Sequence, residues 1–130
     1  MKNKKKILLI DDDKDFLFAT KLILEKGGYE VFMAEDGKTG VEMWKSVNPD
    51  LAIIDMMMET WGEGFSVLNK IRATDKGKEI PLFMLSAVDL QGPYNSFEPP
   101  PEFPTVNKEL NKPIKADDLL NYISRELSNK

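Results

Sequence analysis

Five positions spread along the chain carry side chains that could do chemistry together. They are the adjacent acids Asp11 and Asp12, the lone acid Asp55, the hydroxyl of Ser86 and the amine of Lys112. Each stands at or just after the end of a short extended-looking segment: ILLI before Asp11, LAII before Asp55, IPLFML before Ser86 and LN before Lys112. Three carboxylates brought to one place repel each other, by roughly 4 kcal/mol per pair at about 4 Å and an effective dielectric near 20. A hard divalent cation removes that repulsion. Mg²⁺ takes one or two carboxylates and leaves its other positions to water and a phosphate oxygen. A carboxylate oxygen can also attack phosphorus to give an acyl phosphate. The added negative charge then needs a cation and a hydroxyl donor, and Lys112 and Ser86 are one of each.

The absences narrow the chemistry further. The chain has neither Cys nor His. That removes disulfides, thiolate metal sites, the usual zinc sites and histidine-assisted nucleophiles. A formal net charge of −4 argues against a dedicated nucleic-acid surface. The start, MKNKKK, is basic, but the apolar run after it is far too short for a signal segment or a membrane span. A cytoplasmic protein with no membrane contact is the expectation.

The elements that must position these residues follow from periodicity. Lys6 to Asp11 reads as a buried strand ending in acid. A helix follows, capped by Asp12 or Asp13, with Phe16, Leu17, Thr20, Ile23 and Leu24 at helical spacing and Gly27-Gly28 as its stop. Tyr29 to Ala34 is a second strand, Asp36-Gly37 a turn, and KTGVEMWKSV a short amphipathic helix closed by Asn48-Pro49. Leu51 to Asp55 is the third strand. The stretch FSVLNKIRATDKG is a helix ending at Gly77, Ile80 to Ser86 a fourth strand, Leu110 to Lys112 a short fifth, and Lys115 to Leu127 a terminal helix. Alternating strands and helices with near-continuous apolar strands predict a parallel sheet covered on both faces. In such sheets ligands bind beyond the carboxyl ends of the strands, where the strand order reverses. With the order 2-1-3-4-5, the first and third strands are neighbours there, and Asp11, Asp12 and Asp55 converge. The segment AVDLQGPYNSFEPPPEFPTVNKELN breaks the rhythm, because its prolines oppose a full helix before about Val106.

These residues resemble the receiver domain of two-component response regulators. ILLIDDDKDF is similar to that family's first strand and acidic pair, DLAIIDMMM to its phosphoacceptor strand, IPLFMLSA to its Ser/Thr-bearing strand, and LNKPI to its Lys-Pro. Each motif is weak alone; in this order they are strong together and cover essentially the whole chain, residues 1–130, as a single receiver domain with no output domain following. The resemblance implies a flavodoxin-like (βα)5 three-layer fold with the fourth helix degenerate or replaced by the Pro-rich loop. It implies that Asp55 takes a phosphoryl group from a sensor histidine kinase or a histidine phosphotransfer protein, and that a downstream protein reads the result. It implies Mg²⁺ held by Asp12 directly, by Asp11 largely through water, by Asp55 and by the backbone carbonyl of Met57. Lys112 would pair with the phosphoryl group, Ser86 would move to hydrogen-bond it, and the Lys112-Pro113 bond would be cis. Such a chain is a switch rather than a metabolic enzyme.

The chain also departs from the family. Glu59 and Glu63 stand where Pro and Gly are usual, with an extra residue before Gly64. Glu109 stands where an aromatic is usual. Asp11-x-Asp13 is similar to the motif of haloacid-dehalogenase-type phosphatases, but Asp15 stands where they need Thr or Val, and 130 residues leave little room for a cap. A receiver-like scaffold working without phosphorylation is the main alternative. Asp13 singly is a helix cap. Trp44 and Trp61 read as packing residues.

Overall fold

The computed structural model describes residues 4–56, 61–86 and 106–128, with the backbone alone described at Trp61, Gly62 and Ser86. Met57 and residues 87–105, most of the Pro-rich segment expected to replace a helix, lie outside the described residues. The described elements are β1 (Lys6–Ile10), α1 (Lys14–Lys26), β2 (Glu30–Ala34), α2 (Gly37–Val47), β3 (Leu51–Asp55), α3 (Trp61–Arg72), a 3-10 turn (Lys76–Lys78), β4 (Leu82–Ser86), β5 (Lys108–Asn111) and α4 (Ala116–Ser128). The five strands are parallel, in the order β2-β1-β3-β4-β5. This is the flavodoxin-like arrangement expected from the alternation of strands and helices.

Period-two alternation sorts the strand residues into two cores. Leu8, Ile10, Ala52, Ile54, Leu82 and Met84 face α2 and α3, where Trp44, Val67, Leu68 and Ile71 cover them. Ile7, Leu9, Leu51, Ile53, Phe83 and Leu85 face α1 and α4, where Leu17, Leu24, Leu119 and Ile123 cover them. Both faces are apolar because both are buried, so these strands read as continuous hydrophobic runs. Trp44 is a packing residue, as its sequence context suggests.

Several boundaries differ from the expectation, each for a local reason. α1 ends in a Schellman motif: Gly28 sits at φ +96°, its N–H donates to the carbonyl of Glu25, and the N–H of Tyr29 donates to that of Leu24. Tyr29 is thus used by the helix end, and β2 begins one residue later. Asp36 is not a turn residue but the N-cap of α2, its Oδ1 accepting from Thr39 N at 2.7 Å. α3 starts at Trp61, before the expected Phe65, and stops at Arg72, short of Gly77. Gly77 serves the 3-10 turn instead. A Cβ there would run into the carbonyl oxygen of Ile71, so only glycine fits. β4 begins at Leu82 because Pro81 has no N–H to pair, although its carbonyl still accepts from Ala52 N at 3.1 Å. β5 runs Lys108–Asn111 rather than Leu110–Lys112, and of its four side chains only Leu110 is buried. No helix among the described residues is long and apolar enough to cross a membrane.

Candidate functional site

The sheet order sets the site. β1 and β3 lie side by side, with Ile10 in register with Ile54. Strand pairing continues past both ends, through Asp11 N to the Ala34 carbonyl (3.0 Å) and Met56 N to the Leu85 carbonyl (2.9 Å). Asp11 and Asp55 are therefore held abreast, 1% and 3% exposed. Asp12 is exposed beside them. One carboxylate oxygen from each of the three lies within 4.8 Å of the others. The convergence expected at the switch point is present.

Lys112 reaches the same place from the sheet edge. It follows β5 directly, and the Lys112-Pro113 peptide bond is cis, as expected. Its Nζ lies 2.7 Å from Asp11 Oδ2 and 3.6 Å from Asp55 Oδ2. Asp11 divides its two oxygens between partners. Oδ1 accepts from the backbone N–H of Asp13 at 2.9 Å. Oδ2 is buried with no hydrogen bond of good geometry, and meets the ammonium as an ion pair. Asp13 is the N-cap of α1, accepting from Phe16 N at 3.1 Å. It caps the helix and stands outside the three-carboxylate cluster. Ser86 ends β4 in register with Asn111, one residue beyond the Asp55–Leu85 pair.

Burial pushes the Asp11 carboxyl above its ordinary value, against the opposing pull of Lys112 and the Asp13 amide. For Lys112, burial alone would lower the pKa, but Asp11 and Asp55 outweigh it and raise the group overall. The lysine therefore stays protonated at neutral pH. Three acids against one ammonium leave net negative charge in a largely buried place. The donors are all carboxylate oxygens, and one buried oxygen lacks a hydrogen bond. Asp11, Asp12 and Asp55 thus fit a hard divalent cation by charge, donor type and spacing.

Two features of the site have no local signal in the sequence. The ring of Phe16 lies 4.4 Å from Lys112 Nζ; in sequence it is one more apolar residue at helical spacing. Glu63 sits where a glycine is usual, and its Oε1 accepts from Gly37 N at 2.9 Å. An acid on α3 thus caps the start of α2, a link between positions 26 residues apart that no local pattern signals. Gly64 rather than position 63 makes the close approach: a Cβ there would fall 2.7 Å from Met56 Cα.

The response regulator receiver domain family matches residues 7–97, and the chain belongs to it. Over 116 residues it is 30% identical to the DNA-binding dual master transcriptional regulator RpaA of Synechocystis sp., covering 88% of this chain but only 46% of that protein. The chain thus spans about half the length of this curated relative. Among solved structures it resembles a CheY-like response regulator receiver domain protein from Methanospirillum hungatei JF-1 (TM-score 0.81, 27% identity, 98% of this chain and 96% of that one). It also resembles the receiver domain of the sensor histidine kinase PA1611 from Pseudomonas aeruginosa PAO1, solved with a magnesium ion in its active-site cleft (TM-score 0.81, 26% identity, 97% and 99% covered).

Proposed function

We propose that this receiver domain is a phosphorylation-controlled switch in which Asp55 is the phosphoacceptor. The observation that carries the reading is the pairing of a buried acid at the end of β3 with Lys112, beside a second buried acid and an exposed one. An Asp55 carboxylate oxygen attacks the phosphorus of a phosphohistidine. The new O–P bond forms as the N–P bond breaks, and the electron pair leaves with the imidazole nitrogen, which takes up a proton. Lys112 Nζ, within 3.6 Å of Asp55 and 2.7 Å of Asp11, pairs with the new negative charge on Asp55. Burial of Asp11 and Asp55 keeps competing water and stray charge away. Ser86 is assigned the hydroxyl that follows the phosphoryl group.

Asp11, Asp12 and Asp55 would hold Mg²⁺, with the Met57 carbonyl as a further ligand. The cation would neutralise charge on the transferring phosphoryl group. The donor is a sensor histidine kinase or a histidine phosphotransfer protein, and the output is a conformational change read by a downstream protein. The chain is then a signalling module rather than a metabolic enzyme, working in the cytoplasm without direct contact with nucleic acid or membrane. Hydroxylamine trapping tests the assignment. After treatment with Mg²⁺ and acetyl phosphate, the acyl phosphate is converted to a hydroxamate, and peptide mass spectrometry should place it at Asp55. A hydroxamate at another acid, with Asp55 unmodified, would overturn it.

A further inference from the structure

We infer that Phe16 is a positioning residue for Lys112, its ring face holding the ammonium between Asp11 and Asp55 so that phosphoryl transfer meets a lysine already in place. The inference rests on the phosphoacceptor reading of Asp55.

Three groups surround Lys112 Nζ: Asp11 Oδ2 at 2.7 Å, Asp55 Oδ2 at 3.6 Å, and the Phe16 ring centroid at 4.4 Å. The last distance is well inside the range at which a ring face attracts a cation, and the attraction grows when water is excluded. The lysine side chain is only 18% exposed. The ring is itself fixed. Phe16 packs against the α1/α4 core. Its backbone N–H is held by Asp13 Oδ1, and the N–H of Asp13 by Asp11 Oδ1. These contacts close a circuit: Asp11 to Asp13, Asp13 to Phe16, Phe16 to Lys112, and Lys112 back to Asp11. The acid that anchors the lysine also sets the helix start that carries the ring.

Lysine has a flexible four-carbon stem and is a poor self-positioner. Two acids on one side could draw the ammonium fully onto the nearer one or release it to solvent. A ring on a rigid helix restricts it to the space between them, and a pre-placed charge is worth more in the transition state than one that must be recruited. An aliphatic residue of similar size would fill the same space without the attraction. That difference separates positioning from plain packing.

The test uses the whole chain with Phe16→Leu, Phe16→Tyr, Lys112→Met and the Phe16→Leu/Lys112→Met pair. In NMR spectra the Lys112 ε-methylene signals, assigned by their loss in Lys112→Met, should be shifted upfield by the ring current. The shift should persist in Phe16→Tyr and vanish in Phe16→Leu. With Mg²⁺ and acetyl phosphate, Phe16→Leu should slow adduct formation at saturating donor by about 2- to 30-fold, the range of a partly desolvated cation–ring contact. Phe16→Tyr should restore the rate, and the half-saturating donor concentration should not change. In the Lys112→Met background, Phe16→Leu should have no further effect, because the ring acts only through the lysine. A wild-type spectrum without the upfield shift would overturn the inference whatever the kinetics. So would additive losses in the double variant, or equal rates for Phe16→Leu and wild type. An upfield shift with no adduct on wild-type protein would sink the phosphoacceptor reading and leave the ring-lysine placement standing.

Discussion

Lys112 faces two acids at unequal distances, 2.7 Å to Asp11 and 3.6 Å to Asp55, so its resting partner is Asp11. Replacing it strands a buried carboxylate oxygen that has no hydrogen bond. Lys112→Met should lower unfolding stability by about 1–3 kcal/mol in metal-free buffer, the usual cost of an unsatisfied buried group. Added Mg²⁺ should recover most of that loss, because the cation replaces the missing positive charge. Denaturant midpoints with EDTA and with Mg²⁺ check this, and a loss that Mg²⁺ leaves unchanged would mean that the acids do not share a cation. The acids and the lysine were legible in sequence because charged residues at the ends of apolar runs are conspicuous. Phe16 was not. An aromatic at helical spacing reads as core, and only the assembled fold shows that the first turn of α1 lies against a lysine about a hundred positions away.

The helices around the site are set by short contacts that local patterns hide. Gly64 is where α3 crosses the backbone of Met56, and a Cβ would lie 2.7 Å from the Cα of that residue and 3.0 Å from its carbonyl oxygen. Backbone cannot yield as a side chain does. Gly64→Ala should therefore destabilise the fold by about 1–3 kcal/mol, as overpacking typically does; thermal denaturation measures it, and an unchanged midpoint would mean that α3 shifts freely. Asp36 gives a pH-dependent case. Its bond from Thr39 N holds the carboxyl below its ordinary value of 3.8. A carboxyl depressed in the folded state stabilises it above the unfolded value, and that contribution is lost as pH falls through the folded one. The stability gap between wild type and Asp36→Ala should thus be constant near neutrality and should close in acid below 3.8, as read from urea midpoints. A gap that widened in acid would contradict the capping role. The boundaries missed in sequence share a cause. β5 is an edge strand with one buried side chain, so it lacks an apolar run. The early turns of α3 carry two glycines and an acid whose bond goes to another helix.

At the scale of the molecule, one sheet order brings together residues from β1, β3 and the end of β5. The alternation of strand and helix made that order readable in advance, since buried parallel strands advertise themselves as continuous hydrophobic runs. Membership of the receiver family accounts for the fold; the charge imbalance at the site gives the fold a use. Binding of a cation only to the folded state stabilises it by about 2.7 kcal/mol at a hundredfold excess over Kd. Mg²⁺ should therefore raise the unfolding midpoint of the wild type, and Asp12→Asn should need more Mg²⁺ for the same rise. An equal response would remove Asp12 from the ligand set.

The switch depends on Asp55 accepting a phosphoryl group. The most direct measurement is an intact mass spectrum after incubation with acetyl phosphate, with and without Mg²⁺, beside Asp55→Asn. The wild type should carry one phosphoryl adduct that requires Mg²⁺ and is absent from the variant. An adduct that persists in Asp55→Asn, or a wild type that stays unmodified while Mg²⁺ leaves its stability unaltered, would contradict this role for Asp55 and favour a receiver fold used as a scaffold without phosphorylation.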